Sequence, residues 1–180
     1  MVEETLSSEV IYQGRAVNLR VDTVKTEKGK TTSREIVEHS NCVAVVVLDA
    51  QDNTILVRQF RKAVNKTLLE IPAGGIDPEE QPVDAVAREL QEEIGFLPQE
   101  IKKLGGFYAA PGYSSEYLYL YLARQLEPSQ LTAEDTENIE VVKKSLSEIP
   151  ALIASGEICD AKSIAGLLTV ISLGFSGKES

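Results

Sequence analysis

The pattern of hydrophobic and polar residues divides the chain into a strand-rich N-terminal part and a main part that mixes strands with helices. In the first part, β-branched segments of alternating polarity predict strands at residues 9–12, 16–25 and 33–38. Turn residues separate these segments at 13–14 and 28–30. We therefore expect an antiparallel sheet before the main domain.

The main part begins with residues 41–48, NCVAVVVL, a continuous apolar run that predicts a strand buried on both faces. Other segments with strand-like content follow, at residues 54–60, 68–71, 101–108, 116–123 and 140–144. The polar, acidic stretch 125–136 is predicted as a loop. Helices are predicted at 145–155 and 161–173, the second with Asp160 as its N-cap.

A further helix is predicted between a first-turn proline and a terminal glycine. Pro82 suits the first turn, where its missing N–H costs nothing, and Gly95 suits a left-handed cap. The apolar residues that recur at helical spacing are Val83, Ala87, Leu90 and Ile94. With this helix on one side of a mixed sheet and the later helices on the other, the fold class is α/β (α+β), an α/β/α sandwich with an N-terminal antiparallel sheet.

The same helix carries three clustered carboxylates, which we expect at the surface. Glu89, Glu92 and Glu93 have the spacing i, i+3 and i+4, which places them on one helix face. Because like charges this close repel, the arrangement favours a bound cation, and hard divalent ions prefer oxygen ligands. Glu80 and Arg88 are predicted to form an ion pair that ties the preceding loop to the helix, with Arg88 also screening the carboxylates.

Composition narrows the classes of function. The 180 residues suffice for one domain with a sizeable core, and the net charge is −10 without a basic block. Nucleic acid is therefore not an expected partner, since binding its backbone needs clustered Lys and Arg. No apolar run approaches the roughly 18 residues of a membrane span, so no membrane partner is expected.

The sparse cysteine and histidine content bears on compartment and chemistry. Cys42 and Cys159 are far apart in sequence and are expected as reduced thiols in a cytoplasmic protein, in preference to a disulfide. The N-terminal residues lack the basic and apolar regions of a signal peptide. Because His39 is the only histidine, a histidine-based metal site or triad is excluded.

Residues 74–96, GGIDPEEQPVDAVARELQEEIGF, resemble the Nudix box at every defined position. The glycine, arginine and glutamate spacing is not required by a plain solvated acidic helix. The resemblance implies a Nudix-type fold and hydrolysis of a diphosphate linkage with Mg²⁺, for which Mn²⁺ could substitute.

Weaker markers outside the box are similar to the ADP-ribose pyrophosphatase subgroup. They are residues 34–39, 59–61, 69–74, 110–112 followed by Glu116, and 156–162. The resemblance implies ADP-ribose as substrate, cleaved to AMP and ribose 5-phosphate. GDP-mannose or another nucleoside diphosphate sugar is the alternative, and a nucleotide-sensing Nudix module without catalysis is the alternative from another class.

Carried over by position, the resemblance implies a metal site on the box helix. Glu89 and Glu93 would be metal ligands together with the Ala73 carbonyl, and Glu92 would support or share an ion as part of the catalytic set. Glu137 would add a metal ligand or orient water.

Asp135 occupies the place of the subgroup's catalytic base, where a glutamate is usual. Since the shorter side chain could fail to reach, Glu134 and Glu137 remain alternatives. Asp135 and Glu137 belong equally well to a solvated acidic loop.

The resemblance also implies substrate contacts. Arg61 and Arg34 would bind the diphosphate or the nucleoside end, since arginine recognises phosphate bidentately, and Glu70 and Glu116 would hold ribose hydroxyls or polar edges. Arg34 could instead form a surface ion pair with Glu35 or Glu38.

The N-terminal sheet is too small to stand alone. Residues 1–39 are therefore predicted as a dimerisation region in a homodimer, and residues 40–180 as the Nudix hydrolase domain.

Overall fold

A computed structural model of the chain describes residues 2–132 and 138–175. The chain divides into two units, one formed by residues 1–41 with 108–117 and the other by residues 42–107 with 118–180. Segment 108–117 thus clusters with the N-terminal residues, which the sequence did not indicate.

The first unit contains an antiparallel sheet of three strands, as predicted. Its strands are β1 (Glu4–Gln13), β2 (Asn18–Lys25) and β3 (Thr31–Glu38), in the order β1-β2-β3. β1 begins five residues earlier than predicted, because the polar residues before Glu9 continue the pairing with β2. Every residue of β1 is exposed in the chain on its own.

In the second unit, the residues that the structure describes form a sheet of seven strands. They are β4 (Cys42–Leu48), β5 (Asn53–Arg61), β6 (Lys66–Glu70), β7 (Ala73–Gly75), β8 (Phe96–Tyr108), β9 (Tyr117–Pro128) and β10 (Glu140–Ser145). The main order is β10-β5-β4-β9-β8, with β6 beside β5 and β7 beside β4. Because β4 is parallel to β9 but antiparallel to β5 and β7, the sheet is mixed, as predicted.

Three α-helices belong to the described residues of the second unit. They are α1 (Pro82–Glu93), α2 (Ile149–Ser155) and α3 (Ala161–Ser172), and a 3₁₀ turn at Leu146–Glu148 precedes α2. Asp160 accepts a hydrogen bond from the Ser163 N–H at 3.2 Å, which confirms it as the N-cap of α3. Gly95 has φ 75° after α1, which confirms the left-handed position. In the described ranges, no helix combines the length and the apolar character needed to cross a bilayer.

Two segments that were predicted as loops form strands. Residues 125–128 were expected in a loop but continue β9. Residues 73–75 were expected as loop but form β7, in which Gly74 pairs with Val43 of β4. In both cases pairing with a neighbouring strand outweighs the local Gly and Pro content.

The two faces of β4 pack against different helices, which produces the three layers of the second unit. One face packs against α1 in a cluster that includes Val43, Val45, Val47, Ala85, Val86 and Leu90. The other packs against α2 and α3 in a cluster that includes Ala44, Val46, Leu48, Ile149, Leu167 and Val170. Since successive side chains of a strand point to opposite faces, this continuous apolar strand forms the centre of the α/β/α sandwich.

The apolar stripe predicted for α1 was partly wrong. Val83 is 44% exposed and Ala87 is only partly buried, whereas Ala85 and Val86 are fully buried. Leu90 was placed correctly. The true buried face is rotated toward the carboxylates, so Glu89 lies at its edge with only 8% of its surface exposed.

Candidate active site

The carboxylate of Glu89 lies directly against the backbone of β7. A Cβ atom on Gly74 would lie 1.9 Å from the Glu89 carboxyl carbon and 2.0 and 2.1 Å from its two oxygens. No side chain fits in this space without moving the carboxylate, so the glycine at this position allows the helix and β7 to meet with Glu89 between them.

Arg88 joins the loop before α1 to the carboxylates. Its Nε and Nη2 donate to Glu80 at 2.9 Å each, and Nη2 also donates to the Gly75 carbonyl at 2.8 Å. Its Nη1 donates to Glu89 at 2.7 Å and to Glu92 at 3.2 Å. The predicted ion pair and the screening role are both confirmed, and these hydrogen bonds lower the pKa of Glu80.

Glu93 lies on the same helix and contacts the first residue of β7. Its Oε2 accepts a hydrogen bond from the Ala73 N–H at 3.2 Å. Burial and the negative charge of Glu89 raise the pKa of Glu93 to about 8, although the positive charges of Arg61 and Lys162 oppose this rise. Burial is also the main cause of the raised pKa of Glu89. The prediction that these carboxylates lie on an open surface was therefore wrong. Because they are largely withdrawn from water, a nearby positive charge stabilises their ionised form more strongly.

The donor set fits a hard divalent cation. Glu89, Glu92 and Glu93 supply only oxygen ligands, and two of them have raised pKa values that a bound cation would reverse. In the part of the chain that the structure describes, these three glutamates do not bring one oxygen each within 4.8 Å of one another, because Arg88 holds two of them while Glu93 binds Ala73. A shared ion would therefore require these side chains to reorient.

A second polar cluster lies beside Glu93. Arg61, at the end of β5, donates through Nε and Nη2 to the two oxygens of Glu70, at 3.0 and 2.7 Å. Glu70 is only 1% exposed and also accepts from Lys162 Nζ at 2.5 Å. Although burial alone would raise it, these two cations lower the pKa of Glu70. Arg61 keeps 41% of its side chain exposed beside this buried carboxylate.

The remaining predicted site residues belong to the first unit or fall outside the described residues. Arg34 belongs to the first unit and binds Glu3 through Nε at 3.1 Å, so its ion-pair partner is not one of those considered from the sequence. Glu116 also belongs to the first unit and is partly buried. Asp135 and Glu137, with the alternative Glu134, lie outside the described residues.

Lys162 is the residue of this cluster for which no role was predicted from the sequence. The segment 156–162 was a marker, but nothing in the spacing of Glu70 and Lys162, 92 positions apart, indicates that they meet. The sequence did contain one relevant signal, the N-cap Asp160. It fixes where α3 begins and therefore places Lys162 in the first turn of that helix.

Comparison with protein families gives two matches. The family model described as NUDIX domain matches residues 38–165. The model described as nucleoside diphosphate sugar hydrolase N-terminal domain matches residues 3–37. Together they account for the strand-rich N-terminal part and for the unit that carries the carboxylates.

Individual relatives and solved structures are also similar. The chain is 36% identical to the ADP-ribose pyrophosphatase of Bacillus subtilis (strain 168), over 89% of this chain and 88% of the relative. It is 34% identical to the methanol dehydrogenase activator of Bacillus methanolicus, over 90% and 89%. A crystal structure of an ADP compounds hydrolase superposes with a TM-score of 0.87 at 24% identity, covering 96% of this chain and 94% of that one, which shows a common fold.

Proposed function

The chain belongs to the Nudix family, and from this premise we propose that it hydrolyses the diphosphate linkage of ADP-ribose to AMP and ribose 5-phosphate. The observation that carries the proposal is the partly buried carboxylate cluster of α1, next to the cationic side chains of Arg61 and Lys162. Carboxylates suit metal ions and cations suit phosphate oxygens, so the two groups together match a metal-bound diphosphate. The Bacillus subtilis relative supports ADP-ribose as the nucleotide.

Glu89 and Glu93, with the Ala73 carbonyl, would hold Mg²⁺ or Mn²⁺, and Glu92 would support or share an ion. When bound, such an ion neutralises negative charge on the phosphates and makes a bound water more acidic. In hydrolysis, a water oxygen bonds to one phosphorus as the bridging P–O bond breaks, and the leaving phosphate retains the bridging oxygen.

Arg61, Arg34, Glu70 and Glu116 are the proposed substrate residues. The 41% exposure of the Arg61 side chain supports a direct phosphate contact. Glu70 is enclosed by Arg61 and Lys162, which favours a role in orienting Arg61 over a direct contact with ribose. Asp135 is proposed as the base, with Glu137 or Glu134 as the alternatives and Glu137 also as a metal ligand.

The proposal is tested by measuring AMP release from a panel of nucleoside diphosphate sugars with Mg²⁺, using wild type and Glu93→Gln. We expect ADP-ribose to give the highest kcat/KM and Glu93→Gln to lower it by about 100-fold or more, as for loss of a group that acts in the transition state. An inactive wild type over the whole panel would contradict the enzyme proposal and favour a nucleotide-sensing module. A preference for GDP-mannose would keep the chemistry and change the substrate.

The catalytic base is tested separately. We expect Asp135→Ala to lose most activity and to recover in part at high pH, where hydroxide replaces the base-activated water. If Asp135→Ala stays active while Glu137→Ala is inactive, the base is Glu137.

We also propose a homodimer in the cytoplasm. Large apolar side chains lie exposed along β1, among them Leu6, Val10, Ile11 and Tyr12, and a second copy would cover them. Cys42 and Cys159 are not joined by a disulfide, which fits a reducing compartment. A monomer mass by light scattering at micromolar concentration would contradict the dimer.

A further inference from the structure

Lys162 is a nearly buried cation held between two carboxylates. Its Nζ donates to Glu70 at 2.5 Å and to Asp160 at 2.9 Å, and only 15% of its side chain is exposed. A lysine rarely occupies such a position unless it is fully paired, because withdrawing an ammonium group from water is costly. The two carboxylates compensate for the burial of the ammonium group, and in return Lys162 restrains the position of the Glu70 carboxylate.

The backbone around Lys162 is fixed by its own contacts. Asp160 caps α3 through the Ser163 N–H, and Ser163 Oγ accepts a hydrogen bond from the Ile71 N–H at 2.8 Å. Ser163 is fully buried. The first turn of α3 is thus bound to the residue that follows Glu70, so Lys162 approaches Glu70 from a rigid support.

Glu70 transmits this order to Arg61. Its Oε2 accepts from both Lys162 and Arg61, while its Oε1 accepts from Arg61 Nε. The bidentate contact fixes the plane of the guanidinium and leaves the edge with Nη1 unused by Glu70. Without Lys162, Glu70 would keep one cationic partner and could follow the movements of the exposed Arg61 side chain.

We propose that Lys162 is a positioning residue for phosphate recognition: through Glu70, it holds the Arg61 guanidinium in the orientation that binds the diphosphate. The inference rests on the proposed function for the identity of the ligand. The link between Lys162, Glu70 and Arg61 rests only on the contacts of the chain. A preorganised arginine loses less conformational entropy when it binds phosphate, so the effect is on affinity for the substrate.

The kinetic test compares Lys162→Met with Lys143→Met, a control that removes the lysine of another ion pair in the same unit, 3.3 Å from Asp49. We expect Lys162→Met to lower kcat/KM for ADP-ribose about 10- to 100-fold, as removal of a supporting partner commonly does. Most of the loss should appear in KM, because a phosphate contact present in ground and transition states acts on binding. Lys162→Arg should recover part of it, and Lys143→Met should stay within twofold of wild type.

A double-mutant cycle with Arg61→Ala tests the route. If Lys162 acts through Arg61, adding Lys162→Met to Arg61→Ala should lower kcat/KM less than about twofold further, because coupled residues are not additive. Independent, additive losses would overturn the inference.

A measurement without substrate separates the inference from the proposed function. The Arg61 Nε–H signal in a ¹⁵N–¹H spectrum, assigned by its loss in Arg61→Lys, should shift and broaden in Lys162→Met but not in Lys143→Met. An unchanged signal, or kinetics within twofold of the control, would overturn the inference while the enzyme proposal stands. If wild type cleaves nothing in the panel, the function fails, and the signal still decides whether Lys162 orders Arg61. Should Lys162→Met not fold, Lys162→Gln is judged by the same criteria.

Discussion

Gly74 and Glu89 are in such close contact that a single added methyl group at residue 74 would overlap the carboxylate. The Cβ position lies 1.9 Å from Glu89 Cδ, far inside van der Waals contact. The obstructing atoms are at the free end of a flexible side chain, so Glu89 can move away while the backbone of β7 stays in place.

We therefore predict that Gly74→Ala displaces Glu89 and lowers Mg²⁺-dependent activity about 100-fold, since small misplacements of catalytic groups have effects of this size. The melting temperature should fall by only a few degrees, corresponding to about 1 kcal/mol. Activity assays and thermal unfolding by circular dichroism measure both. The matched control is Gly112→Ala, because nothing lies within 4 Å of its Cβ position. If Gly74→Ala lowered the melting temperature strongly and activity fell only as far as the folded fraction did, the contact would stabilise the fold without positioning Glu89.

Glu93 should make the metal-free protein less stable as pH rises. Its pKa is raised from 4.5 to about 8 in the folded chain, so between these values the folded state binds more protons than the unfolded state. The free energy of unfolding then decreases with pH, with a contribution of up to about 1.4 kcal/mol per pH unit. Urea unfolding in EDTA from pH 5 to 8 measures the slope.

Two comparisons isolate the Glu93 contribution. Glu93→Gln cannot titrate, so its stability in EDTA should fall less steeply with pH than that of wild type. Mg²⁺ binds the deprotonated carboxylate, so its addition should stabilise wild type more at pH 8 than at pH 5. Equal slopes for wild type and Glu93→Gln would contradict the assigned shift.

Arg88 should contribute to stability as well as to the site. Arg88→Met leaves Glu80, Glu89 and Glu92 without their shared cation, and we expect a loss of about 2–4 kcal/mol in the free energy of unfolding. Mg²⁺ should reduce this loss, because it replaces part of the missing charge. Arg58→Met is the control: its side chain is 39% exposed, more than the 24% of Arg88, and its partners Glu140 and Glu157 lie 3.4 and 3.7 Å away. A more exposed and longer ion pair of this kind contributes about 1 kcal/mol or less. Similar losses for both variants would show that Arg88 acts as an ordinary surface charge.

The sequence predicted the layers of the fold because local patterns determine them. Residues 41–48 are apolar without interruption, and the strand they form is buried on both faces. The ends of α1 and α3 follow from Pro82, Gly95 and Asp160, whose effects depend on the backbone next to them. Elements that depend on a distant partner were missed, such as β7, whose strand character comes from pairing with β4.

For the candidate site too, the features that depend on neighbouring residues were predicted and those that depend on distant ones were not. Spacing along one helix predicted that Glu89, Glu92 and Glu93 share a helix face, and the ion pair of Arg88 with Glu80 in the preceding loop was also predicted. The predicted buried stripe was partly wrong, because which flank of the helix is buried depends on how α1 packs on the sheet. The contact of Lys162 with Glu70 joins two elements that only the folded chain brings together.

Gly166 shows how closely α3 must approach the sheet for that contact to form. A Cβ atom at this buried position would lie 3.0 Å from methyl groups of Ile71, Leu120 and Val46. Alanine adds one methyl group against these flexible ends but gains about 1 kcal/mol of helix propensity over glycine, so Gly166→Ala should change stability little.

Valine at the same position adds two more methyl groups that the core cannot take up. We expect Gly166→Val to lower the free energy of unfolding by about 2–3 kcal/mol, as overpacking does. The matched control is Leu168→Val on the same helix, where the side chain is 44% exposed and only the lower helix propensity of valine is felt, about 0.5 kcal/mol. Urea unfolding of the three variants measures these differences. Gly166→Val should also raise the KM for ADP-ribose, because a displaced α3 would carry Lys162 away from Glu70. If the protein is destabilised but its KM is unchanged, the first turn of α3 keeps its position independently of the middle of the helix.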